Sequence, residues 1–113
     1  MTPLWIALAF VLQTGVPGSF FAWDQAAPDL ATAQSYTYKH YDDGATTGVA
    51  FPSVTCSGTA SPFTCQALIP AYTPGTHTIT ITASDEAGEG APSALFTFKF
   101  VAVPQAPANI RIK

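Results

Sequence analysis

From His77 to Phe100 the chain reads HTITITASDEAGEGAPSALFTFKF. Two runs with a two-residue beat flank a stretch of acid, glycine and proline. Successive side chains of an extended strand point to opposite faces. Ile79, Ile81 and Ala83 therefore share one face, with Thr78, Thr80 and Thr82 on the other. Phe96, Phe98 and Phe100 share a face opposite Leu95, Thr97 and Lys99. A helix would scatter both sets, so the pattern demands half-buried strands with an apolar inner face. Burying one such phenylalanine stabilises by roughly 2–3 kcal/mol, so three on one face supply much of a core. The intervening DEAGEGAP reads as a loop rather than a two-residue hairpin turn.

The rest of the chain carries the same kind of signal. Ser19–Trp23 is a short aromatic strand that places Phe21 and Trp23 on one face, and DQAAPDLATA after it reads as a loop. Gln34–Tyr41, QSYTYKHY, is β-prone and ends at Asp42-Asp43-Gly44, where glycine permits the positive φ of a tight turn. Thr46–Thr55 reads as one strand, placed at an edge by Pro52. Phe63–Ile69 is another, and Pro70–Gly75 makes a corner. No segment reads as a convincing helix. The spacing predicts an all-β, seven-stranded antiparallel two-sheet sandwich, with Phe21, Trp23, Ile79, Ile81, Phe96, Phe98 and Phe100 in its core.

With 113 residues, 48% of them hydrophobic and only 10% charged, the chain fits one domain that can bury a core without metal or disulfide. Disorder needs the opposite balance. The net charge is −3, and Lys39, Lys99, Arg111 and Lys113 are the only strong bases. They do not gather before the tail, which leaves no footprint for nucleic acid or for anionic membranes. Cys56 and Cys65 bracket CSGTASPFTC, a loop that reads as disulfide-closed in an oxidising compartment, against two thiols of a cytosolic protein. Closure stabilises by roughly 2–3 kcal/mol on the chain-entropy account. The loop lacks the His, Asp or Glu of a metal site, and the spacing is not CxxC.

Residues 1–14 form an apolar N-terminal segment whose run from Leu4 to Leu12 is too short to span a bilayer, which takes about 20 residues. Two readings stand. One is the apolar stretch of a secretory signal, although no Lys or Arg precedes it and no AxA-like site follows. The other is a retained first strand with Leu8, Phe10 and Leu12 toward the core. Residues 15–103 form the domain, and residues 104–113 a Pro-rich tail in which Ile110 and Ile112 alternate with Arg111 and Lys113 as in a short edge strand.

From Gly15 to Val103 the chain resembles the fibronectin type III domain. The matching residues are Phe21 and Trp23 followed by Asp24, the aromatic strand YTYKHYDDG, and LIPAYTPGTHTITITASDEAGEGAPSA. The resemblance implies a core Trp in the second strand, a Leu-x-Pro corner before the sixth, and a Gly-rich turn with a following Ser before the seventh. His77 stands where the family usually has a corner tyrosine, and an imidazole can donate a similar bond. The first strand is atypical. The final APANIRIK looks like the start of another such domain, or like a tail that pairs with a neighbour.

Candidate chemistry is sparse. His77 heads a core strand and reads as structural; His40 reads as surface-exposed. There is no GxSxG. The pairs Asp42-Asp43 and Asp85-Glu86 sit on turns and read as solvated, not as the buried pair acid–base work needs. Calcium would take loop oxygens, but no DxDxDG is present. No cofactor is implied. Binding residues are sought in two acidic loops expected at the same end, Asp24–Ala33 and Asp85–Pro92: Asp24, Asp29, Asp85, Glu86 and Glu89. Tyr36, Tyr38, Tyr41 and Tyr72 offer a possible stacking face for carbohydrate, set against the reading that at least half belong to the core. No RGD is present. The expectation is a non-enzymatic module for protein contact, with self or a neighbouring subunit as partner, outside the cell, at its surface or in the periplasm. The alternatives are a subunit of a virion or other large assembly, and a carbohydrate-binding module.

Overall fold

A computed structural model describes residues 12–113; the expectation of a first strand through Leu8 and Phe10 lies outside them, and Leu12 is exposed. The described residues are all-β apart from one short helix. Its elements are β1 (Gln13–Gly15), β2 (Phe20–Gln25), α1 (Leu30–Ser35), β3 (Thr37–Asp42), β4 (Val49–Ala50), β5 (Val54–Ser57), β6 (Phe63–Leu68), β7 (Gly75–Asp85), β8 (Gly88–Glu89) and β9 (Phe96–Phe100). One sheet runs β1-β9-β7-β3-β4 with β8 alongside β7; the other runs β2-β6-β5.

The two sheets share one core. From the smaller sheet come Phe21, Trp23, Cys56, Phe63, Cys65 and Ala67; from the larger come Tyr38, Ile79, Ile81, Phe96, Phe98 and Phe100. Phe21 meets Phe98 edge to face at 5.2 Å, and Trp23 stacks on Phe51 at 5.5 Å. Such ring pairs add about 0.5–1.5 kcal/mol beyond the area they bury. In the larger sheet β3 pairs with β7 from Thr37↔Ser84 to Asp42↔Ile79, a ladder as long as that of β2 with β6.

Six local expectations give way. Asp24–Ala33 is not a loop: Asp24 belongs to β2, and α1 begins after Asp29. Asp29 is extended and its side chain accepts from Thr32 N–H at 2.8 Å, satisfying an otherwise orphan donor of the first turn. Thr46–Thr55 is two strands in different sheets, and the chain crosses between β4 and β5 where Pro52 breaks the ladder. The arrangement is not wholly antiparallel, because β1 runs parallel to β9. The loop after β7 opens with a two-residue turn at Glu86-Ala87, since Gly88 at φ 128° lets β8 fold back on Ser84 and Asp85. The described residues therefore hold nine strands rather than seven. Finally, no strand forms in the tail, which is exposed from Val101 to Lys113.

Candidate functional site

The β3–β7 ladder has two ends, and the polar groups divide between them. At one end, α1 meets the β7–β8 turn. The concavity between them, about 490 Å3, is lined by Thr32, Ser35, Tyr36, Thr37, Ser84, Asp85 and Glu86. Of the five acidic residues singled out from sequence, Asp85 and Glu86 lie here. Asp85 accepts from Ala87 N–H at 2.8 Å and so shapes the turn. Glu86 is exposed, with no hydrogen bond among the described residues. Asp29 is the cap of α1, its carboxyl held below the usual range by the Thr32 N–H. Glu89 is occupied differently: it accepts from Tyr41 Oη and, at 2.7 Å, from Thr82 Oγ1. Those bonds lower the Glu89 carboxyl and raise the Tyr41 phenol, and they bury Thr82 on the face that sequence periodicity assigns to solvent. Asp24 is exposed on the outer face of β2.

This end is anchored beneath by the disulfide. Cys56 and Cys65 are bonded and lie opposite each other on β5 and β6. Ala33 of α1 is fully buried over them, and Tyr38 Oη donates to Ala33 O at 2.7 Å. Burial pushes the Tyr38 phenol up to about 12, so it stays a donor. The Gln34 amide works like one more strand residue: Nε2 donates to Val54 O at 2.5 Å, and Oε1 accepts from Cys56 N–H at 2.7 Å. It thereby covers part of the β5 edge.

At the other end, the turn after β3 is tied to β7. Asp43 and Gly44 both have positive φ, and Ala45 N–H donates to Asp42 O at 2.9 Å. The same turn aims the Asp43 carboxylate at β7, where it accepts from Thr78 N–H at 3.0 Å and lies 2.7 Å from His77 Nδ1. His77 Nε2 lies 2.7 Å from Thr73 O. Both partners are acceptors, so they favour the protonated imidazole, which is held above its ordinary pKa, chiefly by Asp43 and then by Thr73. Asp43 is lowered, chiefly by His77 and then by Thr78 N–H.

Beside this clip, Asp42 accepts from Tyr72 Oη and lies 2.6 Å from His40 Nδ1. Burial and that carboxylate raise the Tyr72 phenol. Two expectations fail here. His40 is not exposed but 5% accessible, its ring 4.6 Å from that of Phe51. The Asp42-Asp43 pair is not merely solvated, since each carboxylate answers a different histidine. Sequence spacing concealed this because Tyr72 and His77 reach the turn across some thirty residues of chain.

The tyrosines form no single platform. Tyr38 is buried, Tyr72 packs against Phe98 at 5.1 Å, and Tyr36 and Tyr41 stand at different places on the surface. Among the described residues there is no group of three or more His, Cys, Asp or Glu suited to a metal ion, and no helix is long and apolar enough to cross a membrane. No family model, curated protein or solved structure matches the chain.

Proposed function

We propose that this chain is a non-enzymatic interaction module of the fibronectin type III and immunoglobulin-like sandwich class, working in an oxidising compartment. The strand order supports the class. Taken in chain order, β2, then β3 and β4, then β5 and β6, then β7 and β9 alternate between the sheets as such sandwiches do. The His77-to-Thr73 bond at the head of β7 also supports it, because it reaches back four residues as a corner tyrosine would. The disulfide joins neighbouring strands of one sheet rather than bridging two, which departs from antibody domains but still suits a secreted or periplasmic protein.

The observation that carries the interaction role is the contrast in commitment. His40, Asp42, Asp43, Tyr72 and His77 satisfy one another across strands, whereas Glu86, which has no hydrogen bond among the described residues, lines an open concavity with Tyr36, Thr32 and Ser35. An acidic, hydroxyl-lined hollow with one aromatic wall suits a basic protein surface. The test is retention of a partner from surface or periplasmic extracts of the native source by wild-type chain and by Glu86→Lys. A protein held by wild-type and released by the variant and by salt is expected. Equal retention by both would contradict the reading.

A further inference from the structure

We propose that a second copy of this chain donates its residues Asn109–Lys113 as a strand along the edge of β2 that no described strand covers. This names a partner for the interaction role above and rests on that role.

Among the described residues β2 is the edge of its sheet. Ile69 N–H donates to Ser19 O at 2.8 Å, which makes Ser19 and Ile69 a hydrogen-bonded pair continuing the β2–β6 register. Alternation then directs the N–H and C=O of Phe20, Ala22 and Asp24 away from β6, toward the side where no described strand lies. A cleft of about 330 Å3 opens there between the sheets, lined mainly by Phe20, Phe21, Trp23, Ile79, Ile81 and Phe96. Phe20 is 57% exposed, and Leu68, its partner on β6, is exposed too. Trp23 Nε1 is buried with no acceptor. An exposed edge beside an apolar cleft is a template for another strand.

The tail has the matching chemistry. Ile110 and Ile112 are 94% and 101% exposed, so two large apolar side chains that an extended backbone would put on one face meet nothing in their own molecule. They alternate with Arg111 and Lys113, two of the chain's four strong bases, while the whole chain carries a net charge of −3. In a strand added beside β2, the isoleucines enter the cleft and the two cations share the outer face with Asp24. The added backbone also brings carbonyl acceptors to the side where Trp23 Nε1 lacks one. The occupant is a neighbour's tail because the chain's own tail leaves β9 exposed over its whole length. Pro104 and Pro107 favour that extended exit.

The contact is head to tail, which dictates the test. Sedimentation of the full chain across micromolar to millimolar concentration is expected to show association. Ile110→Asp/Ile112→Asp abolishes the donor and Ala22→Pro the acceptor; each variant is expected to be monomeric. Proline is tolerated where an edge N–H points outward, and circular dichroism checks the fold. Asp24→Lys gives a second acceptor variant, expected to weaken association about tenfold, as loss of one charge-assisted contact does. Mixing the donor-dead and acceptor-dead chains is expected to yield a 1:1 dimer that grows no further. A wild-type chain that stays monomeric, a donor variant that associates like wild-type, or a mixture that forms no dimer would overturn the proposal. None of these variants touches Glu86, so such a failure leaves the partner-retention result standing on its own.

Discussion

The two ends of the β3–β7 ladder use similar side chains to opposite purposes. At the end of Asp42 and Asp43, carboxylates, imidazoles and a phenol are paired across strands and close the fold. At the end of α1 and Glu86, cross-links lie beneath the surface, in the disulfide, Tyr38 and Gln34, and the acids above them are freer. Two His–Asp pairs in a small protein invite a catalytic reading. Here both nitrogens of His77 are taken up within the fold, Nδ1 by Asp43 and Nε2 by Thr73 O.

Perturbing each end in turn sharpens the contrast. The largest effect is expected from Cys56→Ala/Cys65→Ala, which frees a loop with a sequence separation of nine. The loss should be roughly 2–3 kcal/mol from chain entropy, more if the buried site cannot collapse. Urea denaturation measures it, and hydrogen exchange should show α1 opening before the His77 end. Tyr38→Phe removes the hydroxyl that donates to Ala33 O and should cost about 1–2 kcal/mol at the same end.

The opposite end is expected to respond through pH. His77 is raised in the fold, so its contribution is fully present below the unfolded value near 6.5 and is lost as pH rises through the folded value. Asp43 is lowered, so its contribution is present above about 3.9 and is lost as pH falls through its folded value. The clip is therefore strongest between roughly pH 4 and 6.5. His77→Phe should flatten the decline above that window in thermal melts, while Tyr38→Phe should leave it intact. The smallest effect belongs to Glu86→Gln, which should change stability by less than about 0.5 kcal/mol yet weaken partner retention.

Much of this architecture was legible in the residues. The beat of Ile79, Ile81, Phe96, Phe98 and Phe100 reports the inner face because burial selects side chains one strand at a time. The disulfide was legible because the two cysteines bracket a short loop of Gly, Ser and Pro and sit beside strand ends. What escaped depends on partners distant in sequence. Thr82 looks solvent-facing until β8 folds over it, and His40 looks exposed until Phe51 packs on it. Helix α1 was missed although Asp29 and Thr32 are spaced as a cap, because Pro28 and the alanines around it read as a connector. Of the concavity beside α1, Asp85 and Glu86 were visible as acids on a turn. Tyr36, Thr32 and Ser35 were not, since only the helix brings them alongside.

The claim that one end is offered to partners and the other closed upon itself is tested most directly by photo-crosslinking in the native source. A photoreactive residue is placed at Glu86 in one chain and at exposed Thr46, beyond the Asp43 turn, in another. The expected result is a discrete adduct from position 86 and none above background from position 46. Adducts of equal yield from both, or from position 46 alone, would contradict it.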